Sequence, residues 1–210
     1  MALSEQIPRM QRFGLRAALL RIHSDLFQVH RLVDQYSIYD PPELTNLETL
    51  VLVLEDRRFM HHAGVDGLAL AREFGRAVTF REHGGASTID MQFVRTATGY
   101  RERTLTRKLY EMLLALLIQY RYSKIVILRS YLNHAFFGSR LIGAERTAKE
   151  LYGVSHHDLS LVQASTLAAA LVYPRPLAPQ DAWLNNVRRR SSYGMRIYLA
   201  NKQRFDQLHR

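Results

Sequence analysis

The chain has no cysteine, no apolar run long enough to span a bilayer and few acidic residues, and each shortage removes a class of protein. Without cysteine there is no disulfide framework, no thiolate metal site and no cysteine nucleophile. The longest uninterrupted apolar run, Met112 to Ile118, is core-sized and falls far short of the roughly 20 residues a spanning helix needs. Arg12, Arg16, Arg21 and His23 break the N-terminal segment too often for a signal peptide. The 19 acidic residues stand against 29 Lys and Arg, a formal charge of +10 that favours an anionic partner: nucleic acid, anionic lipid or a phosphorylated group. No aromatic-interleaved basic patch or recognition motif supports nucleic acid, which leaves lipid and phosphate.

What is present reads as helix. Leu15, Leu19, Ile22, Leu26, Val29 and Val33 recur at spacings of four and three, edged by Arg12, Arg16, Arg21 and Arg31. Residues 1–37 are therefore expected to carry a basic amphipathic helix, lying in an anionic lipid interface or packed on the rest with a solvated basic face. Tyr39-Asp40-Pro41-Pro42 breaks the pattern, and residues 38–210 form the main domain. Thr45 to Glu48 has capping-box form and opens a helix through Leu47, Leu50, Val51 and Leu54. Further helices are expected near Ala69 to Val78, from Leu105 to Tyr120 with Leu109, Met112, Leu113, Leu116 and Leu117 as the buried face, after the Ser123 cap through Leu132, and from Gly143 to Tyr152. Ser160 to Gln163 repeats the capping box before an Ala-rich helix, and a basic helix covers Trp183 to Phe205. With no internal repeat and no alternating strand series, the fold class is all-α, with at most a minor hairpin.

Three segments could carry chemistry. Glu55 and Asp56 follow the Thr45 helix and precede Phe59, His61, His62 and Gly64. A carboxylate at a helix end can be partly desolvated, which suits a general base near neutral pH. Arg103, Arg107 and Glu111 fall at i, i+4 and i+8 with Lys108 beside them, a cradle for diphosphate if not simple surface ion pairing. The third segment, Gly84-Gly85-Ala86-Ser87-Thr88 and on to Gln92, offers amides and hydroxyls at a helix start. It fits neither a phosphate-binding Walker loop nor a dinucleotide fingerprint. The adjacent pairs His61-His62 and His156-His157 lack zinc-helix spacing; His62 is expected to fix the Glu55 turn while His61 points elsewhere.

In that order the blocks resemble the peptidoglycan glycosyltransferases, glycosyltransferase family 51, found in bifunctional penicillin-binding proteins and monofunctional transglycosylases. Glu55, Asp56, Phe59, His62 and Gly64 look like the family's first block; Gly85 to Ile89 with Gln92, its second; Arg107, Lys108 and Glu111, its third. Tyr122-Ser123-Lys124 with Tyr131-Leu132-Asn133 resembles the fourth, and Leu161 to Leu171 with Arg188 to Arg190 fits the fifth more loosely. The resemblance implies a lysozyme-like, two-lobed helical fold that polymerises lipid II into glycan strands, releasing undecaprenyl diphosphate with inversion. It implies Glu55 and Glu111 as catalytic residues, and Asp56, His62, Ser87, Thr88, Gln92, Arg95, Arg103, Arg107 and Lys108 at the substrate. No cofactor is required in this scheme and no residue is assigned as a metal ligand; Mg²⁺ or Mn²⁺ at the diphosphate is compatible with it.

The partners implied are lipid II, the growing glycan chain and the membrane surface, with the protein peripheral on the cytoplasmic membrane and its side undecided. The amphipathic N-terminal helix stands in for the family's transmembrane anchor, or the true start lies upstream. Four positions depart from the family pattern, among them Ile125, which stands where an acidic residue is usual after Lys124. Asp90 and Met91 replace a Thr-Gln pair, which places a carboxylate near an anionic substrate, and Arg129 replaces a Glu. These departures support an alternative, a noncatalytic domain that binds a lipid-linked diphosphate or a cell-wall partner.

Overall fold

The computed structural model describes residues 14–34, 43–78, 85–100, 102 and 104–202. Its helices, in chain order, are α1 (Leu15–Asp34), α2 (Asn46–Glu55), α3 (Gly67–Val78), α4 (Ile89–Thr98), α5 (Leu105–Arg121), α6 (Lys124–His134), α7 (Ala144–Tyr152), α8 (Leu161–Ala170) and α9 (Asp181–Ala200). The strands β1 (Phe136–Gly138) and β2 (Leu141–Ile142) pair antiparallel as the minor hairpin. The protein is thus mainly helical.

The caps fall where the side chains dictate. The Glu48 amide donates to Thr45 Oγ1 at 3.2 Å while the Thr45 amide donates to Glu48 Oε2 at 2.7 Å, and Ser160 with Gln163 forms the same reciprocal box at α8. The Val126 amide donates to Ser123 at α6, and Gly153, with φ 72°, closes α7. Buried Glu48 does more than cap, since its Oε1 accepts from Arg129 Nε at 2.7 Å. Arg129, one of the departures from the family pattern, therefore neutralises a carboxylate that would otherwise be stranded in the core.

The helices form two packing groups around one core. In one, α2, α8 and α9 pack on each other; in the other, α4 packs on α1, α5 and α6. Val29 and Val33 of α1 belong to the common core, whereas Leu15 and Leu19 are 79% and 57% exposed. The second half of α1 is therefore part of the helical body and the first half stands out. A buried carboxylate fastens it: Asp25 accepts from the phenols of Tyr100 at 2.9 Å and Tyr110 at 2.7 Å, with the Arg21 guanidinium 4.8 Å from the Tyr100 ring centre. Burial beside that carboxylate raises both phenols above their usual range.

The face expected to bury α5 is corrected. Leu109, Leu113, Leu116 and Leu117 are exposed, and Met112 is only half-buried. The buried face is Glu111, Leu114, Ala115 and Ile118. Both faces repeat at helical spacing, and counting large apolar residues favours the wrong one, because the true seam contains a carboxylate and an alanine.

The glycine of the first block has a structural cause. Gly64 has φ +85°, and a Cβ there would meet the Ala115 carbonyl oxygen of α5 at 2.5 Å. Only glycine lets the turn after Glu55 lie against α5. Gly64→Ala is expected to cost more than about 2 kcal/mol, read from denaturant midpoints at unchanged slope. A loss below about 0.5 kcal/mol would mean that this contact is not tight.

Candidate active-site cleft

Glu55 is the last residue of α2, and both of its carboxylate oxygens are engaged. Oε1 accepts from Arg190 Nη2 of α9 at 2.6 Å, and Oε2 from Gln92 Nε2 of α4 at 3.3 Å. The amide of Gln92 is oriented in turn, because the Tyr131 phenol donates to its Oε1 at 2.7 Å. Burial, and secondarily the charge of Glu55, pushes that phenol above its ordinary range.

One turn along α4, roughly 4.5 Å of helix rise from Gln92, Arg95 faces the same way. Its Nε and Nη2 donate to the two oxygens of Glu111, each at 2.9 Å, and Arg107 donates to Oε1 of the same carboxylate. Glu111 is wholly buried, while the side chains of Arg95 and Arg107 are 37% and 15% exposed. A buried anion thus holds two partly exposed guanidiniums, and its hydrogen bonds raise Arg95 above its ordinary value. Half-buried Lys108 follows Arg107 on α5.

A cavity of about 460 Å³ is lined by Glu55, Arg57, Arg58, Arg72, Arg76 and Ser87, among others. Arg58 is paired to Asp66 at 3.2 Å and Arg76 to Glu73 at 2.9 Å. The carboxylate of Glu55 thus lines an arginine-rich cavity and is bonded to Gln92 of α4, the helix that also carries Arg95.

Behind it lies a buried charge network. Asp56 Oδ2 accepts the Ile89 amide at 3.1 Å and faces His62 Nε2 at 3.0 Å; His62 Nδ1 is 3.4 Å from Lys124 Nζ, which donates to Asp90 at 2.9 Å. The ligand atoms of Asp56, His62 and Asp90 lie within 4.8 Å of one another, close enough to share a metal ion. The Lys124 ammonium already supplies the cation there, so the group does not fit a metal unless that lysine leaves.

The sequence-derived site residues divide accordingly. Glu55 and Ser87 line the cavity, Gln92 bonds to Glu55, Arg95 and Arg107 meet at Glu111, and Lys108 follows Arg107 on α5. Asp56, His62 and Thr88 are tied into the fold: Asp56 and Thr88 are mostly buried although both line the cavity, the His62 ring is covered, and the Thr88 hydroxyl donates to the Gly64 carbonyl at 2.6 Å while accepting from Met91 N. They shape the turn and the α4 start, as expected of His62, while exposed His61 points elsewhere. Glu111 orients cations and offers substrate no surface. Arg103 lies outside the described residues. Asp90 and Met91, expected beside the substrate, are wholly buried, so the carboxylate opposes Lys124 instead of the substrate.

Sequence reasoning misses Arg190, Tyr131 and the arginines of the cavity. Arg190 is hidden in the run Arg188 to Arg190; it is distinguished only by sitting beside the buried face Val187, Ser191 and Gly194 of α9. Tyr131 reads as a core residue, and its hydroxyl gives no sequence signal.

Residues 30–197 match the model of the transglycosylase family, and the chain belongs to that family. It is 38% identical over 147 residues to penicillin-binding protein 2a of Streptococcus pneumoniae, covering 70% of this chain and 20% of that protein. Against the biosynthetic peptidoglycan transglycosylase of Vibrio parahaemolyticus it is 38% identical over 129 residues, 61% of this chain and 57% of the relative. Against that of Thiobacillus denitrificans the figures are 34% over 158 residues, 75% and 65%. The chain therefore spans about a fifth of the penicillin-binding protein and about six tenths of the two transglycosylases.

The buried pair is testable. Lys124→Met leaves the Asp90 carboxylate without its cation and is expected to cost about 3–5 kcal/mol. Burial raises Asp90 above its ordinary 3.8, so the unfolded chain releases this proton first and the stability contributed falls as pH rises from that value. The Lys124→Met deficit should accordingly shrink in acid, and Asp90→Asn in the same chain should restore most of it. Equal deficits in the single and double variants would contradict the pairing.

Proposed function

We propose that this protein is a peptidoglycan glycosyltransferase that polymerises lipid II, releasing undecaprenyl diphosphate with inversion at the donor sugar. The observation that carries the reading is the Glu55 carboxylate lining an arginine-rich cavity in a chain of the transglycosylase family. In the reaction the acceptor hydroxyl gives its proton to Glu55, its oxygen bonds to the anomeric carbon of the donor, and the bond from that carbon to the diphosphate oxygen breaks with the electron pair leaving on the diphosphate. Arg95, Arg107 and Lys108 stand where that negative charge can be received. These cations suffice in this scheme; a Mg²⁺ or Mn²⁺ ion would bind through the diphosphate oxygens, and omitting it from the assay tests the point. The departures that suggested a noncatalytic domain lose their force, because Asp90 and Arg129 are each neutralised by a partner away from the cleft.

Among the described residues no helix is long and apolar enough to cross a membrane. Peripheral attachment fits the exposed stripe of α5, Leu105, Leu109, Leu113, Leu116 and Tyr120, together with Leu15, Leu19, Leu20 and Phe27 of α1. An apolar face this long on a chain of charge +10 suits an anionic bilayer, which would also present the lipid-linked substrate.

Purified protein given lipid II is expected to make glycan strands, and Glu55→Gln to lower the rate by at least about 10²-fold with its fold intact. An unimpaired Glu55→Gln enzyme would remove the proposed base. Replacing Leu109, Leu113 and Leu116 together by Ser should weaken sedimentation with anionic lipid vesicles at least several-fold; unchanged sedimentation would move the membrane contact elsewhere.

A further inference from the structure

Glu55 occupies an awkward place for an anion. It ends a helix, where unpaired carbonyls and the negative pole of the helix dipole oppose a carboxylate, and within its own segment the Arg57 guanidinium goes to the Val53 carbonyl. The offset comes from the far end of the chain. Arg190 Nη2 reaches the Glu55 carboxylate at 2.6 Å and the Leu54 carbonyl at 3.2 Å, so one guanidinium serves both the base and an unpaired backbone oxygen of α2.

The surrounding contacts show that α9 is fitted to this end of α2. Gly194, four residues on, faces Leu54 so closely that a Cβ would meet its side chain at 3.0 Å, a contact that Leu54 would have to yield to accommodate. Tyr193 accepts from Arg57 Nη2 at 2.5 Å, while Arg57 Nε donates to the Val53 carbonyl at 3.1 Å. Behind them the hydroxyls of Ser165 and Ser191 meet at 2.6 Å and hold α9 on α8. Three consecutive residues of α2, Val53, Leu54 and Glu55, are therefore gripped directly or through Arg57.

We infer that Arg190 is the positioning residue of the proposed base: supplied by α9, it fixes the rotamer of Glu55 against Gln92 and leaves the carboxylate aimed into the groove. Arg190 acts through Glu55 and does not contact the reacting atoms. Its Nε is buried without a partner among the described residues, so only the Nη edge is used, and that edge is turned to Glu55. The inference rests on the glycosyltransferase reading and makes a separate demand on it, because a residue that aims the base must affect turnover more than substrate binding.

The test is steady-state polymerisation of lipid II by the full chain, as wild type, Arg190→Ala and Arg190→Lys, with the thermal midpoint of each measured alongside. Arg190→Ala is expected to lower kcat about 10- to 100-fold with KM within about twofold of wild type. Arg190→Lys, which keeps the stem and charge and so secures the fold, should recover part of kcat, again without moving KM. A rise in KM at unchanged kcat in either variant would overturn the inference, since Arg190 would then be a substrate ligand; so would unchanged kcat in both. A wild-type protein that makes no product would overturn the glycosyltransferase reading and this inference with it, whereas an active wild type with indifferent Arg190 variants removes only the inference.

Discussion

The arrangement depends on one buried anion. The Glu111 carboxylate lies wholly inside the helical body, a position that is costly unless it is fully compensated, and Arg95 and Arg107 compensate it from two different helices. The buried acid holds both guanidiniums by hydrogen bonds while part of each side chain stays exposed. A cradle made of surface arginines alone would lose its order to side-chain entropy; one anchored on a buried carboxylate is set before any substrate arrives.

The second constraint is that the cleft is assembled from both packing groups. Glu55 comes from α2, which packs with α8 and α9, while Gln92 and Arg95 come from α4, which packs with α1, α5 and α6. The bond from Gln92 to Glu55 ties the groups together at the site itself, and the Tyr131 phenol determines which way that amide faces. Behind the site, the chain Asp56, His62, Lys124, Asp90 holds the turn after Glu55 onto the start of α4. Buried charges here are kept for the geometry they impose on their neighbours.

Much of this is legible in the sequence, and the reasons are local. Capping boxes at Thr45 and Ser160 and the glycine after Tyr152 mark helix ends through contacts made within a few residues, so a linear reading finds them. The family blocks likewise bring Glu55, Gln92, Arg107 and Glu111 forward together. What is not legible is which way residues face once helices pack. The leucines of α5 look like core when apolar size is counted, whereas the seam holds Glu111 and Ala115. Asp90 looks like a threat to an anionic substrate because its partner, Lys124, lies 34 residues away. Arg190 is seen only within the loosely matched run Arg188 to Arg190, because 135 residues separate it from Glu55. The two charged residues are misjudged for one reason: a long-range pairing of charges is encoded by no local pattern.

The central claim is that Glu55 and the Arg95, Glu111 and Arg107 cluster serve the same chemical event, the first as base and the second at the leaving group. The most direct measurement is the configuration of the new glycosidic bond in strands made from lipid II, whose donor sugar is α-linked to diphosphate. A β-linked polymer, released together with undecaprenyl diphosphate, is the predicted result, since a base on one side and a leaving-group cradle on the other allow a single displacement with inversion. An α-linked product, or cleavage to free sugar in place of polymer, would contradict the account.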